Sequence, residues 1–93
     1  MLTADAYTRR VQSILRMAGV NAECTTKLAG KREAGHAATS TVRPATPHTL
    51  ADVQSALREA RGDYLDMGDY RVRSGAVVLT WLRPGGRRDW VKK

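Results

Sequence analysis

The sequence predicts an α+β fold, with two helices on one face of a four-stranded antiparallel sheet in the order α-β-β-α-β-β. Two amphipathic helical stripes, a strand-like alternation after each, and a likeness between the two halves of the chain carry that expectation. Val11-Gln12-Ser13-Ile14-Leu15-Arg16-Met17-Ala18 matches Val53-Gln54-Ser55-Ala56-Leu57-Arg58-Glu59-Ala60 at six of eight positions, 42 residues apart. Gly35 to Pro44 aligns without a gap on Gly75 to Pro84, 40 residues apart, with the glycine, arginine and proline identical. The expected organisation is one domain over 1–84, made of two tandem αββ repeats at about 3–44 and 45–84, followed by a basic tail at 85–93.

The first helix is read from Tyr7, Val11, Ile14, Leu15 and Ala18, which fall on one face at a 3.6-residue period. Thr3 or Asp5 is its cap and Gly19 its stop. Leu50, Val53, Ala56, Leu57 and Ala60 repeat the stripe, with Thr49 as cap after Pro47 and Gly62 as stop. Ala22 to Leu28 then alternates as a strand, paired with Ala37 to Arg43 across a tip at Ala29 to Gly35. Tyr70 to Arg73 alternates in the same way and turns at Ser74-Gly75 into Ala76 to Leu82.

Sidedness follows from the alignment of the repeats. Val78, Thr80 and Leu82 are expected inward, matching Ala38, Ser40 and Val42. Val77, Leu79 and Trp81 then form an apolar outer face, with Arg71 and Arg73 beside them. An exposed apolar face in a small protein marks an interface, so these three residues are expected to join a homodimer through the sheet. Coverage of the same face by the tail carrying Trp90 is the alternative.

Ninety-three residues with 42% hydrophobic content support a single folded core. Sixteen Lys and Arg against nine Asp and Glu leave a net charge of +7, which favours an acidic macromolecule as partner. Cys24 is the lone cysteine, so no intramolecular disulfide is expected and a reducing, cytoplasmic compartment is the default. The first ten residues lack the basic start and apolar stretch of a secretory signal. No apolar run approaches the roughly 20 residues of a membrane span, so no membrane partner is expected. Twelve Arg against four Lys, thirteen Ala, one Ile and no Phe suggest a GC-rich bacterium or one of its phages or plasmids.

The candidate sites are basic. Arg83 to Lys93 carries five cations and one acid, and Arg87, Arg88, Lys92 and Lys93 on a Gly85-Gly86 hinge suit phosphates, with Trp90 available for stacking. Lys27, Lys31 and Arg32 form a second basic group at the first hairpin, and Arg71 and Arg73 a third. Asp63, Asp66 and Asp69 lack the spacing of a calcium loop, and the glycines form no phosphate loop, so no metal and no cofactor are expected.

Helix, strands, Gly35-His36 and a second helix, together with Leu15-Arg16-Met17-Ala18-Gly19-Val20 at the first helix end, resemble the HicA-type mRNA interferase toxins. That resemblance implies a fold like a double-stranded-RNA-binding domain and a catalytic role for His36. The chain departs from the family in having no Ser or Thr between Gly35 and His36 and no third strand before the second helix. His36 and His48 are the only histidines, and neither has an identifiable acid-base partner in the sequence. The leading expectation is therefore a small non-enzymatic nucleic-acid-binding accessory protein. A phage- or plasmid-type protein gripping a host protein through Val77, Leu79 and Trp81 stands second, and an RNase toxin third.

Overall fold

The computed structural model of the protein describes residues 3–30 and 35–83. Its elements are α1 (Ala4–Met17), β1 (Ala22–Leu28), β2 (His36–Pro44), α2 (Leu50–Ala60), β3 (Met67–Arg73) and β4 (Ala76–Leu82). All strand pairs are antiparallel, and the sheet order is β1-β2-β4-β3, so the second strands of the two αββ units meet at its centre. The α+β class and element order are those expected.

Local chemistry accounts for the helix ends. The Thr3 hydroxyl accepts from the Ala6 amide at 3.1 Å and starts α1. At α2, Thr49 and Asp52 form a reciprocal capping box: the Asp52 carboxylate accepts from the Thr49 amide at 2.8 Å while the Thr49 hydroxyl accepts from the Asp52 amide at 3.4 Å. Beyond α2 the chain does not stop at Gly62 but tightens into one 3₁₀ turn, Arg61–Asp63.

Both helical stripes pack on the same face of the sheet. Tyr7, Val11, Ile14 and Leu15 of α1 and Val53, Ala56 and Leu57 of α2 are buried with Val42, Val77, Leu79 and Trp81 of the strands. Trp81 is the largest fully buried side chain. Its ring lies 5.2 Å from Tyr7 and meets Tyr64 edge-on at 6.3 Å, contacts worth about 0.5–1.5 kcal/mol each beyond area burial.

Val77, Leu79 and Trp81, expected on an outer interface, are each 0% exposed and form the centre of the core. The cause is the β3–β4 turn. Ser74 and Gly75 both have positive φ, 51° and 74°, as a two-residue hairpin loop of the primed type requires. Such a loop sets Arg73 opposite Ala76, Val72 opposite Val77 and Tyr70 opposite Leu79. Because side chains alternate, Val77 and Leu79 then share the face of Tyr70 and Val72, and Val78 and Thr80 point the other way with Arg71 and Arg73. The gap-free alignment of the two halves pairs Ala38 with Val78, yet Ala38 is buried opposite Trp81 and Val78 lies opposite Thr41. That alignment is out of step with the sheet by one residue. The case for a homodimer, or for capture of a host protein, through Val77, Leu79 and Trp81 goes with it.

β3 starts at Met67, three residues before the regular alternation, because the strand bulges. Met67 pairs with Trp81 and Tyr70 with Leu79, leaving one extra residue on β3. A Cβ on Gly68 would stand 2.7 Å from the Thr80 carbonyl oxygen, so only glycine allows β3 to lie this close to β4.

Candidate functional site

The sheet face away from the helices is polar and basic. β1 contributes Glu23, Thr25 and Lys27, and β2 contributes Thr39, Thr41 and Arg43. β4 contributes Val78 and Thr80, and β3 contributes Arg71 and Arg73. Glu23, Thr25, Lys27, Arg43, Arg71 and Arg73 are all exposed. Among the described residues, four cations stand there against Glu23, with Asp69 at the β3 bulge bordering the same face. Lys27 lies on one edge strand and the Arg71 and Arg73 pair on the other; the two strands are about 14 Å apart, three strand spacings, and the arginines are also displaced along the strand from the level of Lys27. Between them run the hydroxyls of Thr39, Thr41 and Thr80.

The helical side has a different balance. Asp66 accepts from one guanidinium nitrogen of Arg10 through both carboxylate oxygens, at 3.0 and 2.9 Å, and Asp69 accepts from Arg61 at 2.7 Å. With those pairs closed, Arg9, Arg16 and Arg58 face Asp5, Asp52, Glu59 and Asp63. Positive charge is therefore concentrated on the open face. The Arg10 guanidinium is also held over the rings of Tyr64 and Trp81, at 4.9 and 5.1 Å, which anchors α1 to the β3 end of the sheet.

Of the basic residues expected to contact nucleic acid, Lys27, Arg71 and Arg73 come together on this face. Lys31, Arg32, Arg87, Arg88, Trp90, Lys92 and Lys93 lie outside the described residues. The points where those segments join the core are described and lie side by side. Arg83 donates from its amide to the Gly35 carbonyl at 2.8 Å, and from its side chain to the carbonyls of His36 at 2.6 Å and Gly30 at 2.9 Å. The first hairpin tip and the tail thus leave the same end of the sheet.

Arg43 was missed as a face residue, although its parity with Thr39 and Thr41 marks it. Its guanidinium donates to the Ser74 carbonyl at 3.1 Å, tying β2 to the far hairpin turn.

A shallow pocket of about 310 Å³ opens on the same face where β3 bulges, lined by His36, Asp69, Arg71, Thr80 and Leu82 among others. His36 is exposed at the start of β2; its carbonyl accepts from Arg83, and its imidazole makes no hydrogen bond with a described residue. Two strands, not three, separate α1 from α2. The other histidine is structural: His48 Nδ1 accepts from the Asn21 amide at 2.9 Å.

Under the helices, a chain of hydroxyls runs through the sheet. Trp81 Nε1 donates to Ser40 Oγ at 2.9 Å, Ser40 and Thr26 share a 2.7 Å bond, and Thr8 donates to Thr26 at 2.8 Å. Cys24 lies beside this chain. Burial pushes its thiol above the usual range, and the neighbouring hydroxyls of Thr26, Thr8 and Ser40 offset part of that rise. The Tyr7 phenol is raised as well, first by burial and then by the Asp66 carboxylate, with Arg10 opposing.

Among the described residues, no three His, Cys, Asp or Glu side chains gather as a metal site, and no helix is long and apolar enough to cross a membrane. Comparison of the chain with family models, with curated proteins and with solved structures finds no match in any of the three.

Proposed function

We propose that the protein is a non-enzymatic binding module that holds the sugar-phosphate backbone of a nucleic acid on its open sheet face. The observation that carries this reading is the excess of positive charge: Lys27, Arg43, Arg71 and Arg73 stand against Glu23 and, at the bulge, an Asp69 already bonded to Arg61, on a face that no described helix covers. Cations at both edges and threonine hydroxyls between them suit phosphate oxygens, which need positive charge and hydrogen-bond donors but no deep pocket. The segments that carry Lys31 and Arg32 and Arg87, Arg88, Lys92 and Lys93 join the described core at neighbouring points, Gly30, Gly35 and Arg83.

Titration of double-stranded DNA, single-stranded DNA and RNA across a salt series tests the reading. Affinity should fall as salt rises, with a slope of about −0.7 to −0.9 per neutralised phosphate. Arg71→Glu with Arg73→Glu should weaken binding about tenfold or more and flatten the slope by about two, while stability changes by no more than about 0.5 kcal/mol. Absence of binding to all three at low ionic strength removes the proposal.

A further inference from the structure

We infer that β1 is a self-recognition edge, through which a second copy of this chain adds to the sheet in antiparallel register about Thr25. Among the described residues, β1 pairs with β2 on one side only, and none of them pairs with its other edge. The ladder fixes which groups face outward. Ala45 donates to the Asn21 carbonyl at 2.9 Å and Ala29 to the Ala37 carbonyl at 3.0 Å, so the odd-numbered residues of β1 bond to β2. The amides and carbonyls of Ala22, Cys24, Thr26 and Leu28 are therefore presented at the free edge.

This edge lacks two of the usual protections, and its charges, Glu23 and Lys27, are of opposite sign. It is seven residues long, without proline or bulge, whereas exposed edges are commonly blunted by such features. β3, the other edge, is protected twice, by its bulge at Gly68-Asp69 and by Arg71 and Arg73. A two-fold centred on Arg71 opposes two Arg71 side chains, and one centred on Val72 opposes Arg71 with Arg73 in both directions.

On β1 the charges fit themselves. A two-fold at Thr25 places Glu23 opposite the second copy's Lys27, and Lys27 opposite its Glu23, both on the open face. These are non-hydrogen-bonded positions, where side chains approach most closely. Centring the axis on Cys24 or Thr26 instead sets each charge opposite an uncharged residue. On the helix side the Thr25 register lays Leu28, which is 45% exposed, against Ala22 of the second copy. Helix α1 lies over β1, where Thr8 donates to Thr26 at 2.8 Å, and crosses toward β3, where Arg10 reaches Asp66, so the two copies of α1 would run side by side across the join. The product is a closed two-fold pair with one eight-stranded sheet and its open faces continuous. This inference does not depend on what the open face binds.

Sedimentation equilibrium of the full chain over a concentration series reads the mass against the 10.2 kDa of one copy. A concentration-dependent approach to twice that mass is expected. Glu23→Lys should raise the dissociation constant about tenfold or more, since two attractions become two repulsions. Glu23→Lys combined with Lys27→Glu should restore the parent value, and circular dichroism checks that each variant folds. Thr25→Cys in a Cys24→Ala background should form a covalent dimer on oxidation, because the two Thr25 Cα atoms would face each other at about 4.5 Å. A mass of one copy at every concentration overturns the inference. So does a dimer that ignores charge reversal and fails to cross-link at Thr25.

Discussion

On the helix side of the sheet, Val42, Val77, Leu79 and Trp81 are fully buried, while on the other side Thr25, Lys27, Arg71 and Arg73 are exposed to solvent. The buried four come from the central strands β2 and β4 and the exposed four from the edge strands β1 and β3. Yet every strand supplies both sides: Val42 and Arg43, or Val72 and Arg71, are neighbours that fall on opposite sides. Parity alone separates core from candidate site. In so small a domain, an error of one residue in register exchanges the role of every side chain on a strand. The turn at Ser74-Gly75, which sets that parity, decides which side chains reach the open face as well as which form the core.

The sharpest way to break this comparison is to truncate its buried side. Trp81→Ala should cost about 3–5 kcal/mol in urea unfolding, a large part of the stability of a domain this size. Tolerance of that change would return Trp81 to the surface and reverse the two faces. Ser40→Ala comes next, at about 1–3 kcal/mol, because it leaves the Trp81 indole N–H buried without its acceptor. A neutral result there would remove the hydroxyl chain from the stability of the fold.

A smaller effect depends on pH. Burial holds the Cys24 thiol above its usual value, so the unfolded chain ionises first as pH rises. The stabilising contribution is intact below the ordinary thiol pKa of about 8.5 and is lost as pH climbs from there through the folded value. Cys24→Ala should therefore lessen the loss of stability between about pH 7 and pH 9.5, read from urea midpoints at the two values. The raised Tyr7 phenol leaves a remaining alkaline decline of the same sign in the variant. Equal losses in parent and variant would place the thiol outside the buried network.

Much of the architecture was legible in the sequence because local chemistry and pattern agreed. Thr3 and Thr49 cap where hydroxyls were expected, and β1 and β4 have the bounds their alternation indicates. β4 was ambiguous because both of its faces are apolar: Val77, Leu79 and Trp81 alternate with Ala76, Val78 and Leu82. Pattern could not choose between them, and the likeness of the two halves chose wrongly. The two-residue turn was the better guide, since it links the parity of β4 to that of Tyr70 and Val72. The start of β3 was hidden for another reason: Gly68 and Asp69 read as turn residues, yet glycine is what lets two backbones close at a bulge. Arg71 and Arg73 point outward, as the alternation within β3 from Tyr70 onward indicates, but on the face of Val78 and Thr80 and not, as expected, beside Val77, Leu79 and Trp81. Arg43 aligns with Arg83 in the likeness of the two halves, which masks the parity with Thr39 and Thr41 that puts it on the open face.

Trp81 is enclosed by Tyr7, Tyr64 and Arg10 at the centre of the molecule, and the chain's other indole belongs to Trp90 in the terminal segment. Replacing Trp90 by phenylalanine leaves a single emitter that reports the integrity of the interior. Its fluorescence should stay constant while a ligand occupies the opposite surface and change only when the fold opens, so one optical signal distinguishes recognition from melting.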